Sequence, residues 1–406
     1  MADSTIALGR LTFDELVAPI TPKEFFGRHW TRQAIHLPQP GRRFESYFGW
    51  EAVEAILNAG DIRFPKIKVS RRDRPVPPDE FTHESAGQKI VDGRAVLDLF
   101  NQGASFGITG ADSHWPPLRA VVDALFDALL EHVHTNVYCS PAGTQGFQCH
   151  FDLHEVFVLQ VSGEKHWRMF RPTTDAPLEG WRAEDSPHTS QEPYLDVVLR
   201  PGDVLYVPRG HWHYAVATEL TSLHVTVGVT CRKGSEFLDW LGGELLHEAI
   251  WRQNLPLLAD CTQRGTLQEP AGLAKWADAI RESIEAKLAD ADVFSRFCRD
   301  TLAQIAPSHN AVFLDPALPL ARMRFTRPAG RRHYFVAGQD GALTVSIAGS
   351  EIEIDGSDRD LVALILDADT FTLDDVRAWK PDASLSDVHD LVKALVDGGL
   401  LNAAPA

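Results

Sequence analysis

His150-Phe151-Asp152, joined far downstream by the run Pro208-Arg209-Gly210-His211-Trp212-His213, offers two imidazoles and one carboxylate that a single metal ion could share. A His and an Asp two apart on extended backbone point to the same side. A third donor from another strand would then close one face of an octahedron and leave three positions open. That donor set suits a non-heme Fe(II) that must also hold a co-substrate and O2. In a chain with 17 His, a lone His-x-Asp tripeptide carries little weight. Its surroundings carry more.

The segment from Asn136 through Tyr138, Gly143 and Gly146 leads into His150, and the apolar run 156–159 precedes Gly163-Glu164-Lys165-His166-Trp167-Arg168. In the same manner, the segment from Leu199 through Asp203 to Pro208 leads into Gly210 and the His211/His213 pair. Over about 136–170 and again over 199–229 the chain resembles the JmjC-type ribosomal oxygenases, cupin-fold 2-oxoglutarate dioxygenases that hydroxylate protein side chains. The resemblance is less sharp in the N-terminal part and the C-terminal third.

The resemblance implies a metal site of His150, Asp152 and His213, which would also be the catalytic residues, with Fe(II), 2-oxoglutarate as co-substrate and O2. Strand periodicity leaves His211 and His213 equivalent, because a two-residue shift keeps the same face. In the resembling enzymes the ligand follows the Pro-x-Gly turn by three residues, which selects His213. They carry no ligand at the position of His154. They do carry a basic residue at the same remove from the first His as Lys165, so Lys165 would bind the distal carboxylate of the co-substrate. Alone, a Lys after Ser-Gly-Glu reads as a solvated turn residue. Its alternation with Trp167 and Met169 on one strand face argues for an interior position. Tyr138 and Thr144 would add hydroxyl hydrogen bonds to that carboxylate, and Asn136 would line the substrate entrance. His224 and Thr226, on one face of a strand over 222–229, would hold the co-substrate or line the site. For His224 a hydrogen-bonded core histidine is the alternative.

With 44% hydrophobic residues in 406, the chain can bury at least one large core, and its length favours two or three domains. The start Met1-Ala2-Asp3-Ser4-Thr5 lacks a basic region before an apolar run, and no stretch of about 18 apolar residues occurs. A cytoplasmic protein without membrane contact is the expectation. The five cysteines (Cys139, Cys149, Cys231, Cys261 and Cys298) are odd in number, scattered and without a Cys-x-x-Cys pair, which argues against a disulfide framework or zinc knuckle. Cys149 adjoins His150, but a thiolate suits softer metals than Fe(II). A formal net charge of −17 disfavours direct nucleic-acid binding and suits a basic partner such as a ribosomal protein.

Along the chain, Thr21-Pro22-Lys23-Glu24 reads as a helix start with Thr21 as N-cap and Glu24 completing a capping box, turning Phe25, Phe26 and Trp30 inward. Apolar residues recur at helical spacing over 51–58 and 119–133. After Asn136 short β-like runs follow at 155–161, 166–170, 197–199, 204–207 and 222–229, which fits an antiparallel double-stranded β-helix. Beyond Cys231 the period becomes helical. Phe237, Leu238, Leu241, Leu245 and Ile250 mark one helix, Trp276, Ile280, Ile284 and Leu288 a second, and Phe294, Phe297, Leu302 and Ile305 a third. This bundle resembles the dimerisation module of the ribosomal oxygenases; an ordinary helical cap is the alternative. The last segment, with β-like 342–347 and 351–354 and helical 360–366, 373–379 and 385–396, resembles a winged helix. Four Lys or Arg against thirteen Asp or Glu between Glu351 and Ala406, a net of −9, make it a structural or protein-binding module rather than a DNA reader.

The expected architecture is a mainly β JmjC/cupin catalytic domain with an N-terminal helical elaboration (1–231), a helical dimerisation-type domain (232–324) and an acidic winged-helix-like domain (325–406). The expected activity is hydroxylation of a His or Arg side chain of a ribosomal protein by a homodimer. Lys165 and the Gly163–Arg168 run look closer to the histidyl branch. The Gly210-His211-Trp212-His213 run departs from the smaller or apolar residues usual before the third ligand. Two alternatives stand beside this reading: a 2-oxoglutarate-dependent hydroxylase of a peptide or small natural product, and a catalytically silent cupin-fold binding protein.

Overall fold

The computed structural model describes residues 11–71, 74–180, 191–255, 272–304, 319–327, 333–337, 342–347, 350–368 and 370–405. Cys261 and Ile305 lie outside the described residues, as does the start of the chain. Two compact units part between Cys231 and Arg232.

The first unit begins with α1 (Phe13–Val17) and α2 (Pro22–Arg28), each opened by a threonine whose hydroxyl accepts from the N–H three residues on. At Thr12 the capping box is complete through Glu15. At Thr21 only half of it forms, because the Glu24 carboxylate pairs with Arg28 one turn later. Phe25 is fully buried, while Phe26 stays 36% exposed. Then come β1 (Ile35–Leu37), α3 (Trp50–Asn58), β2 (Ile67–Arg71), β3 (Arg74–Pro75), the hairpin β4 (Thr82–Ser85) and β5 (Gln88–Val91), α4 (Gly93–Asn101), β6 (Ser105–Thr109) and α5 (Arg119–Leu129). The apolar spacing carried α5 on to Val133, but the helix stops at Leu130, whose φ of 52° is left-handed. Residues 132–140 are a strand instead. Thr135 and Val137 are β-branched there and share the buried face with Cys139, a period of two that the preceding leucines masked.

That strand is β7 (His132–Ser140), followed by β8 (Glu155–Ser162), β9 (Lys165–Phe170), β10 (Leu195–Leu199), β11 (Val204–Val207), β12 (Trp212–Ala217) and β13 (Ser222–Thr230). Eight strands form one antiparallel sheet in the order β1-β11-β8-β13-β7-β6-β2-β3, and β10-β9-β12 form a second. Along β8 and β11, Phe157, Leu159, Val161, Val204 and Tyr206 join the core that packs the helices, including Phe25. The alternate residues Val156, Val158, Leu205 and Val207 pack against Trp167, Met169 and Leu199 of the smaller sheet. A strand covered on both faces has no polar side to show, which is why β8 reads as one apolar run. The space between the two sheets is where the site lies.

The second unit opens with α6 (Gly234–Leu245), α7 (Leu273–Ala289) and α8 (Val293–Gln304). Phe237, Trp240, Phe294 and Phe297 form an aromatic cluster at ring separations of 5.1–5.9 Å. The first helix is shorter than its apolar pattern: Ile250 sits in a separate 3-10 turn, and Leu238 is 65% exposed. After β14 (Met323–Thr326), the strands β15 (His333–Ala337), β16 (Ala342–Ile347) and β17 (Ser350–Asp355) form a meander. Three helices follow, α9 (Arg359–Asp367), α10 (Leu373–Trp379) and α11 (Leu385–Asp397), and β18 (Asn402–Pro405) pairs back on β14. Phe325, Val362, Ile365, Phe371, Val392 and Leu395 centre their shared core. No helix among the described residues is long and apolar enough to cross a membrane.

Candidate metal centre and its cavity

Three donors converge in the first unit. His150, Asp152 and His213 each offer a ligand atom, and these atoms lie within 4.8 Å of one another. The His213 Nε2 is 3.5 Å from one Asp152 oxygen and the His150 Nε2 is 4.0 Å from the other. The backbone sets this up. His150 N–H donates to the His213 carbonyl (3.0 Å), His213 N–H donates to the His150 carbonyl (2.7 Å), and Gly210 N–H donates to the Asp152 carbonyl (2.9 Å). Gly210 makes that last turn at φ +82°, where a Cβ would also come within 2.9 Å of Pro177.

Each imidazole is held in one tautomer. The His150 Nδ1–H donates to the Gln148 carbonyl (2.8 Å) and the His213 Nδ1–H to the His211 carbonyl (3.0 Å), so both Nε2 lone pairs face the carboxylate. Burial, and next the neighbouring His150, push His213 down to about 4, so it is neutral at pH 7 as a ligand must be. Burial alone would raise Asp152, but the imidazoles of His213 and His150 outweigh it and hold the carboxyl below its usual range. Two imidazoles with their Nε2 atoms toward an ionised carboxylate fit a hard or borderline divalent cation with open positions.

His211 does not join them. Its ring Nδ1 is bonded to the Tyr194 hydroxyl (2.6 Å), while its main-chain carbonyl holds His213.

The donors line a cavity of about 390 Å³ that also takes in Asn136, Tyr138, Lys165, Trp167, His224 and Thr226. Pairing across the sheet explains why. Tyr138 lies opposite His224, and Asn136 opposite Thr226, so the alternation of β7 and β13 turns all four to one face. The rings of Tyr138 and His224 stack at 5.2 Å and 15°, and Trp167 meets His224 edge-on at 5.5 Å. Lys165 is buried, and its Nζ donates to Ser140 Oγ (3.0 Å). Desolvation pushes this ammonium down to about 7. Burial, then the charge on Lys165, keeps His224 neutral.

Thr144, expected beside Lys165, lies outside the lining; its hydroxyl donates to the Pro141 carbonyl (2.7 Å) within the turn. Ser140 stands next to the lysine instead. Neither it nor His154, which lines the cavity, was marked by the sequence pattern as part of the site. A serine near the end of a strand carries no signal by itself, and only the packing of one sheet against the other brings it to Lys165.

Residues 115–237 match the JmjC domain family. Over those residues the chain is similar to a JmjC domain, with a β-rich core of cupin type.

More particularly, it is similar to the ribosomal oxygenases. It is 33% identical over 263 residues to ribosomal oxygenase 1 of Gallus gallus, covering 61% of this chain and 42% of that protein. It is 31% identical over 238 residues to the bifunctional lysine-specific demethylase and histidyl-hydroxylase NO66 of Drosophila persimilis, covering 55% of this chain and 32% of the other. The chain thus spans less than half the length of these relatives. Among solved structures, that of E. coli ycfD matches with a TM-score of 0.61 at 18% identity, over 95% of this chain and 98% of that one. The same ribosomal oxygenase in complex with cobalt and 2-oxoglutarate matches with a TM-score of 0.58 at 16% identity and the same coverage. At those identities the likeness establishes a shared fold.

Proposed function

We propose that this chain is an Fe(II)- and 2-oxoglutarate-dependent oxygenase that hydroxylates a His or Arg side chain of a ribosomal protein. The observation that carries the proposal is one cavity holding both the His150/Asp152/His213 donors and the buried Lys165. A buried ammonium whose described partner is a single serine hydroxyl is costly unless an anion completes it. The distal carboxylate of a five-carbon keto-diacid is such an anion. The cobalt and 2-oxoglutarate complex of the E. coli structural neighbour supports the same pairing of metal and co-substrate.

In this reading His150, Asp152 and His213 hold the iron. Iron bound there would couple O2 activation to oxidative decarboxylation of 2-oxoglutarate, so that substrate C–H, O2 and 2-oxoglutarate give C–OH, succinate and CO2. Lys165 and Ser140 fix the tail of the co-substrate, with Tyr138 nearby. His224 stays uncharged and stacks on Tyr138, keeping a second cation away from Lys165. Asn136 and Thr226 line the substrate side. A Lys at 165, together with a relative named as a histidyl-hydroxylase, supports a histidine as target.

We read residues 232–324 as a dimerisation module, which exposed Leu238, Leu246 and Phe294 support, and residues 325–406 as a winged-helix-like module serving protein contacts. The acidic charge favours a basic substrate protein in the cytoplasm over nucleic acid. Succinate release from 2-oxoglutarate, with intact-mass comparison of ribosomal proteins before and after treatment, tests the proposal. A one-oxygen increment on one protein is the expected result, and no succinate with any ribosomal fraction would contradict it.

A further inference from the structure

Gly228 of β13 pairs with His134 of β7, and its backbone is not left-handed, so conformational freedom does not explain the glycine. Space does. A Cβ there would come within 2.4 Å of His134 Cε1, 2.5 Å of His134 Nε2 and 3.1 Å of His154 Cε1. Into the space left by the missing side chain the His134 ring is laid, and His154 stands edge-on against it, ring centroids 5.0 Å apart at 89°. Burial pushes His134 down to about 4, so it packs as a neutral ring.

The His154 Nδ1–H donates to the Glu155 carbonyl (3.2 Å), and its Nε2 has no hydrogen-bond partner among the described residues. The same side chain lines the cavity two residues beyond Asp152.

Resting on the oxygenase reading above, we propose that His154, wedged in place by His134 over Gly228, is a specificity-determining residue that accepts a hydrogen bond from an N–H of the substrate side chain. The substrate class it selects is a side chain with a ring or guanidinium N–H near the carbon to be oxidised. An aliphatic side chain would leave the Nε2 acceptor covered and unpaired, and buried unpaired polar groups discriminate strongly.

The test uses the full chain loaded anaerobically with Mn(II) and 2-oxoglutarate. It is titrated with end-blocked heptapeptides in which a central His, Arg or norleucine is flanked on each side by three glycines. The His or Arg peptide should bind at least tenfold more tightly than the norleucine peptide. His154→Leu should remove that preference, and His154→Gln, whose side-chain oxygen can accept, should restore most of it. Gly228→Ala should mimic His154→Leu by driving His134 into His154. No preference in the wild type, or a preference unchanged in His154→Leu, would overturn the proposal. So would a loss of Mn(II) from His154→Leu, which would show that the residue acts on Asp152. A chain that binds neither Mn(II) nor 2-oxoglutarate fails the oxygenase reading itself, whereas one that releases succinate but shows no preference fails this inference alone.

Discussion

His150 and His213 exchange both of their main-chain hydrogen bonds, N–H to carbonyl in each direction at 3.0 and 2.7 Å. Two candidate ligands 63 positions apart are thereby locked as an isolated β-bridge, with their rings 4.5 Å apart. The donor set is preorganised by backbone, and side-chain rotamers have only to complete it.

Metal binding should therefore depend on three side chains and not on a fourth. His213→Ala and Asp152→Ala are expected to weaken Mn(II) or Co(II) binding at least a hundredfold. His211→Ala, which keeps the carbonyl that orients His213, should change it by about tenfold or less. Titration followed by paramagnetic resonance or visible absorption distinguishes these outcomes.

Lys165→Met should keep the metal and weaken 2-oxoglutarate binding by about 10- to 100-fold, the cost of one charge-assisted contact. The same variant should be more stable than the wild type without ligand, by about 1–4 kcal/mol at neutral pH, because an isolated buried charge is removed. Calorimetric titration and denaturant unfolding read the two effects, which have opposite sign.

The pH dependence follows from the lysine being pushed down to about 7. Its folded value lies below its unfolded value, so the folded state binds fewer protons between about 7 and the ordinary lysine value near 10.4. The burial penalty is then full below pH 7 and fades as pH rises through that window. Binding of an anion needs the charged form. The affinity for 2-oxoglutarate should fall as pH rises above 7, by up to about tenfold per unit, with proton uptake on binding. Titrations in buffers of different ionisation heat check both.

Much of the β core was legible, and the reasons differ by element. The strands from Glu155 to Thr230 are short apolar runs between Pro and Gly turns, and those signals are local. Helix α5 was read too long because Leu130 and Val133 happen to continue its spacing, and only a left-handed residue ends it. The site was legible as residue types, not as neighbours. Nothing local predicts that Ser140 meets Lys165, which depends on how the two sheets face each other, or that Gly228 makes room for His134, which depends on the register of β7 and β13. Thr144 shows the converse: a hydroxyl at a promising position in the chain is used up by its own turn.

Gly163, between β8 and β9, should tolerate no side chain. Its φ is +66° and a Cβ would lie 2.0 Å from the Thr221 carbonyl oxygen. Gly163→Ala is expected to cost about 2 kcal/mol or more and to lower the melting temperature by several degrees. Because Lys165 is two residues on, 2-oxoglutarate affinity should fall with it, which a binding titration at a temperature well below unfolding would detect.

The most direct measurement is the visible absorption of the chain loaded anaerobically with Fe(II) as 2-oxoglutarate is added. A chelate band should grow to saturation in the wild type, require more co-substrate in Lys165→Met, and be missing in Asp152→Ala and His213→Ala. No band in the wild type, or an undiminished band in the two ligand variants, would contradict a shared ion at His150, Asp152 and His213.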